Sequence, residues 1–290
     1  MTPQSFETFA TLLRNGSGLV IGPDKGYLLE TRLAPILRDH RIADLDALAF
    51  RLRGGGPVLE REVIEAMTTN ESSFFRDDKP FVHVRAQALP KLHAVRPPGA
   101  RLRIWSAAAS TGQEAYSLAM LLAENRGALG GREVEILGTD IAREPLARAR
   151  EGIYTQFEVQ RGLPMTMLVK YFRKDGSNWR IADKIRGLAS FREYNLLGDL
   201  RPLGTFDVVF CRNVLIYFDA PTKARVLEAI ARQMAPDGML YLGGAETVLG
   251  VTDRFVPMPG DRGVYALAAA TPSSVVVPLP ARPLAGAASR

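Results

Sequence analysis

The chain has 290 residues, 47% of them hydrophobic and 23% charged, a globular balance long enough for two domains or for one with an appendage. A single cysteine, Cys211, excludes an intramolecular disulfide framework. With no leader-like segment at the start and no apolar run of bilayer length, a cytosolic protein is expected. The net charge of +6 suits nucleic acid, an acidic protein partner or an acidic cofactor pocket, and selects none of them.

The first 70 residues read as a small helical domain. Thr2-Pro3 is an N-cap and first-turn pair, followed by Phe6, Phe9, Leu12 and Leu13 at helical spacing. Asp24 is expected to cap a second helix carrying Tyr27, Leu28, Ile36 and Leu37, kinked but not ended by Pro35. Helical runs over 44–53 and 58–67 follow, separated by Gly54-Gly55-Gly56-Pro57. Residues 71–100 read as a linker contributing to the site.

From Arg101 to about residue 270 the pattern alternates between strand and helix. Strands are predicted over 102–106, 134–139, 191–196, 206–211 and 239–242, with last strand material over 256–266 that turns at Gly260–Gly263. Helices are predicted over 114–125, 144–150 and 220–234, the last capped by Asp219. That order predicts an α/β doubly wound parallel sheet. The segment of about 153–187 is too long for a connection and reads as a small inserted β-subdomain. Beyond 271 the Pro-, Ala- and Ser-rich composition predicts a disordered tail.

The most informative stretch is IWSAAASTGQEAYSLAM, residues 104–120. A buried strand enters a loop of very small residues and then a helix, so backbone can approach a ligand closely beside helix N-terminal amides. The next strand ends on Asp140, about 28 residues after Gly112, where a carboxylate can accept both hydroxyls of a ribose. Together these favour an adenosine-containing cofactor, and the missing GxGxxG pattern argues against a nicotinamide.

Three further strings carry a family resemblance: NESSFFR at 70–76 with Phe81, FREYNLL at 191–197, and FDVVFCRNVLIYFD at 206–219. With the small-residue loop and Gly138-Thr139-Asp140-Ile141, the chain resembles the CheR-type chemotaxis methyltransferases from about Phe6 to about Ala268. The resemblance implies a class I (Rossmann-like) S-adenosylmethionine-dependent methyltransferase domain after a small all-α domain that recognises receptor. Its products would be S-adenosylhomocysteine and a methyl ester on a chemoreceptor glutamate. It also implies site residues. Asn70, Ser72 and Arg76 would reach the cofactor from the interdomain segment, Glu114 and Asp140 from the first loop-helix and second strand, and Asn195, Leu196, Arg212 and Asn213 from later strand ends. Arg76 and Tyr217 match the positions nearest the transferring methyl. The chain departs from the family pattern at Ala109, Gln113 and Ala115, which leaves Glu114 as the one carboxylate of the loop.

An ionised glutamate, with an ordinary pKa of about 4.3, needs no general base to act as nucleophile. The three histidines (His40, His83, His93) lie outside the pocket segments, and no metal is called for. The expected partner is a receptor's cytoplasmic helical bundle, with Arg32 and Arg38, and beside them Lys25 and Arg41, steering its acidic surface. Nucleic acid is the rival substrate, yet no NPPY-like motif holds a base. A non-catalytic cofactor-binding adaptor is the other rival. A monomer without membrane insertion is expected. The stretch YFRKDGSNWRI at 171–181 reads as a closed hairpin turning at Asp175-Gly176, lacking the extra glycines with which tether-dependent members of the family take up a receptor's C-terminal peptide.

Overall fold

A computed structural model describes residues 1–97 and 99–268; the tail expected beyond 271 lies outside them. The N-terminal unit holds four helices, α1 (Pro3–Ser17), α2 (Gly26–Asp39), α3 (Leu45–Arg53) and α4 (Pro57–Met67). Thr2 caps α1, accepting from the Ser5 amide at 3.3 Å, and α2 continues through Pro35. Asp24 does not cap α2. It sits inside a 3-10 turn, Pro23–Lys25, that precedes the helix. Phe9, Leu13, Leu29, Leu33, Leu48 and Val63 form this unit's own core.

Residues 71–100, expected to be a linker, are largely helical. The helix α5 (Lys79–His83), a π turn over Val84–Ala88 and α6 (Leu89–Val95) run on from one another. They bury Phe81, Val84, Ala88, Leu89 and Leu92 against one face of the large sheet. Sequence reasoning missed this because Pro80 and Pro90 interrupt the pattern. Both fall at the second position of a helical piece, Pro80 at the start of the run and Pro90 directly after the π turn.

The sheet contains β1 (Leu102–Ala107), β2 (Val134–Asp140), β6 (Ala189–Glu193), β7 (Phe206–Cys211), β8 (Met234–Leu242), β9 (Phe255–Pro257) and β10 (Val264–Leu267) in the order β6-β2-β1-β7-β8-β10-β9. The first five run parallel. The edge pair β10 and β9 is antiparallel, a departure from an all-parallel reading. Period-2 alternation sends Ile104, Val208, Phe210 and Met239 to one core and Trp105, Val209, Cys211 and Leu240 to the other. The helices α7 (Gln113–Glu124) and α12 (Ala220–Ala231) cover opposite faces, and α8 (Arg143–Glu151) follows β2. Strand order reverses between β1 and β7, which opens a crevice at their carboxyl ends.

Between α8 and β6 the chain forms β3 (Ile153–Tyr154), α9 (Gln156–Gln160), α10 (Met165–Tyr171), β4 (Phe172–Asp175), β5 (Asn178–Ile181) and α11 (Asp183–Arg186). Its three strands pair antiparallel in the order β3-β5-β4. Asp175 pairs with Asn178, so the two turn residues are Gly176 and Ser177, one position later than expected, with Gly176 at φ 61°. Among the described residues no helix is long and apolar enough to cross a membrane.

Arg96, just past α6, ties this helical segment to the sheet. Its guanidinium binds Asp207 of β7 at 2.5 Å and Asp237 of β8 at 2.6 Å, while Asp207 also accepts the Arg103 amide at 2.9 Å. Replacing Arg96 by Met leaves two partly buried carboxylates without their cation. Urea denaturation should show a loss of about 2 kcal/mol.

Candidate functional site

The crevice at the ends of β1, β2 and β7 is closed by residues from the helical unit and from the segment after it. Its lining brings together Asn70, Ser72, Arg76, Glu114, Asp140, Asn195, Leu196, Arg212, Asn213 and Tyr217, all expected from the sequence. Ser17, Leu19, Thr68 and Thr69 join them from the helical unit, where sequence reasoning had looked only for a receptor surface.

Two carboxylates stand at its floor. Asp140 accepts the Ser110 amide at 2.8 Å on one oxygen and the Ala142 amide at 3.0 Å on the other. Each oxygen keeps a lone pair for a ligand hydroxyl. Glu114, in the first turn of α7, accepts from Ser106 Oγ at 2.7 Å and from Arg212 Nη1 at 3.0 Å. Burial pushes both carboxyls above their ordinary range. Arg212 and Ser106 pull Glu114 part of the way back, and the backbone amides do the same for Asp140.

The small-residue loop has a mixed cause. Ala108 and Ser110 line the cavity in the left-handed region, at φ 63° and 51°. Gly112 serves packing: at φ 90°, a Cβ there would come within 2.9 Å of Ala149 and 3.1 Å of Phe191. The loop is also held from outside. Tyr154 of the inserted subdomain donates to Thr111 O at 2.8 Å, and Ser110 Oγ donates to Asn70 O at 2.7 Å.

Arg212 is the hub. Its side chain is 2% exposed, and Nη2 reaches both Asp77 at 2.7 Å and the Arg76 carbonyl at 2.8 Å. This holds a turn in which Phe75, Asp77 and Asp78 all have positive φ, 47°, 65° and 43°, a strained geometry for non-glycine residues. Ser117 of α7 accepts the Phe75 amide at 2.9 Å. Asp77 is thus taken by Arg212, and Arg76 donates to the Glu71 carbonyl at 3.2 Å. The Arg212 Nε is buried without a protein partner, a donor available to a ligand.

Not every expected side chain is free. Asn195 donates to Gly16 O at 2.7 Å and accepts the Leu197 amide at 2.9 Å, so it joins the two domains. Arg32 donates to Met67 O, Thr68 O and Thr69 Oγ1 at 2.6, 3.1 and 3.0 Å, fixing the start of the interdomain segment. Arg38 is 75% exposed beside Asp39. Gln113, which replaces the family's glutamate, turns away to accept from Thr111 Oγ1 at 2.8 Å.

Comparison with known proteins identifies the family. The description "CheR methyltransferase, SAM binding domain" matches residues 70–264, and "CheR methyltransferase, all-alpha domain" matches residues 4–68. The chain belongs to the CheR methyltransferase family. It is 38% identical over 258 residues to chemotaxis protein methyltransferase Cher2 of Pseudomonas putida, covering 86% of this chain and 92% of that one. It is 40% identical over 255 residues to chemotaxis protein methyltransferase 1 of Pseudomonas aeruginosa, again covering 86% and 92%. A chemotaxis protein methyltransferase of Vibrio parahaemolyticus is 36% identical over 259 residues, covering 88% and 93%.

This CheR-family protein is therefore an S-adenosylmethionine-dependent methyltransferase, and the residues present fit that cofactor. Asp140 offers two acceptors to a ribose, while Glu114 and the orphan Arg212 Nε offer an acceptor and a donor to an amino-acid end. Because burial raises the Glu114 and Asp140 pKa values, both carboxylates take up protons at a higher pH than ordinary ones. Cofactor affinity should thus be full above those raised values and fall as pH drops through them. Calorimetry over a descending pH series should show that loss, reduced in Glu114→Gln, and Asp140→Ala should weaken binding at every pH. A flat profile would contradict the assignment.

Proposed function

We propose that this enzyme methylates glutamate side chains on the cytoplasmic helical bundle of a chemoreceptor, forming carboxyl methyl esters. The observation that carries this reading is the composition of the cavity wall. Its described residues include no histidine, lysine or cysteine, and its exposed carboxylate, Glu71, is held by Arg161 at 2.8 Å. Such a wall suits an acceptor that is already an anion at neutral pH. His40 pairs with Glu62 at 2.5 Å, His83 with the Tyr241 hydroxyl at 2.7 Å, and His93 accepts from Arg132 at 3.1 Å.

When bound, S-adenosylmethionine supplies an electrophilic methyl on a sulfonium. Arg76 and Tyr217, both in the lining, orient the incoming carboxylate in line with it. The charges cancel as the bond forms, so the largely apolar wall of Leu19, Val214, Tyr217 and Phe218 favours the transition state by excluding water. Asp140, Glu114 and Arg212 hold the cofactor, with Asn70, Ser72, Leu196 and Asn213 completing its walls. The names of the relatives above support a chemoreceptor as acceptor, and the basic charge of the chain suits its acidic surface.

Label transferred from the cofactor to a receptor fragment should be released as methanol by mild base. Base-stable label would mean an amine acceptor and refute the ester. Tyr217→Phe should lower turnover about 10-fold and Arg76→Ala about 100-fold. The two candidate docking arginines should separate. Arg38→Glu should weaken methylation of the receptor at unchanged cofactor affinity. Arg32→Glu should also weaken cofactor binding, because Arg32 holds residues 67–69 beside the cavity.

A further inference from the structure

The loop that carries Arg212, Asn213 and Tyr217 leaves β7 and reverses almost at once. Asn213 has φ 58°, and a short 3-10 turn over Leu215–Tyr217 presents Tyr217 to the cavity. Three successive amides of this loop point away from the cavity toward a single side chain, Glu246. That side chain is buried, at 9% exposure, and comes from the turn after β8. Its Oε2 accepts from Asn213 N at 2.8 Å and Gly243 N at 2.6 Å, and its Oε1 accepts from Val214 N at 3.0 Å and Leu215 N at 2.7 Å.

We propose that Glu246 is a positioning residue for methyl transfer, clamping four backbone amides so that Asn213 lines the cofactor and Tyr217 faces the reacting methyl. Four acceptor sites meet four donors, which fills the hydrogen-bonding capacity of one carboxylate. No neutral side chain can do the same, since an amide would turn two hydrogens toward two N–H groups. The surroundings admit nothing larger either. A Cβ on Gly243 would lie 2.7 Å from Glu246 Oε2 and 3.0 Å from Asn213 N, so Gly243 is needed for the loop and the carboxylate to meet. Glu246 is not part of the cavity lining and acts only through the loop.

The inference deepens the ester-forming reading given above and rests on it. The test compares Glu246→Gln with Arg96→Met, which breaks a partly buried ion cluster away from the cavity, as a control for lost stability. In Glu246→Gln, kcat should fall about 30-fold while the receptor KM stays within about twofold, and exchange of the 213–215 amides should quicken. Arg96→Met should lower Tm comparably yet keep kcat within about twofold well below its melting point. Gly243→Ala, which pushes on the same contact, should reproduce the kcat loss, and it decides the matter if Glu246→Gln does not fold. Wild-type kcat in Glu246→Gln, or a kcat loss in Arg96→Met that tracks its Tm, would overturn the proposal. If the wild-type enzyme made no ester, the functional reading would fail, whereas the 213–215 amide exchange would still report on the clamp.

Discussion

A single buried guanidinium joins three of the pieces of chain that make this site. Arg212 leaves the end of β7, meets Glu114 at the start of α7 and holds the turn at Arg76-Asp77. An unpaired charge in that position would be costly, and two carboxylates and a carbonyl compensate it. The same contacts keep a run of left-handed backbone in place, strain that the turn would otherwise relieve by moving away from the cavity. Arginine suits the role because its planar fork reaches several acceptors at fixed angles.

The helical unit is part of the same construction. Arg14 pairs with Asp219 at 2.7 Å, the Val20 amide donates to Tyr217 O at 3.0 Å, and Arg143 meets Glu65 at 2.6 Å. Gly18, at φ 80°, lets Phe218 approach where a side chain would collide with its ring at 3.0 Å. A domain that contributes Ser17 and Leu19 to the cofactor cavity cannot be a detached recognition module.

Much of this was legible in the sequence, for identifiable reasons. A buried strand, a small-residue loop and an acidic strand end are local signals, and β1, α7 and Asp140 stand where those signals put them. The partners of long side chains were not legible, because they are set by elements far apart in sequence. Nothing local tells that Arg32 bonds residues 67–69, that Asn195 reaches Gly16, or that Glu246 gathers the 213–215 amides. The helical run through Lys79–His83 and Leu89–Val95 was hidden by prolines that fall in first turns, with a π turn between them. The hairpin of β9 and β10 was legible as well, from the turn read over 260–263 within the last strand material.

Arg212 clamps the turn at 74–78 to α7, and the proposed cofactor site depends on that clamp. The most direct measurement combines S-adenosylhomocysteine titration and amide exchange on Arg212→Lys, which keeps the charge but cannot span three acceptors. Binding should weaken by at least about tenfold, equivalent to about 1.4 kcal/mol, with faster exchange at residues 74–79. Wild-type affinity together with unchanged exchange in that segment would contradict it.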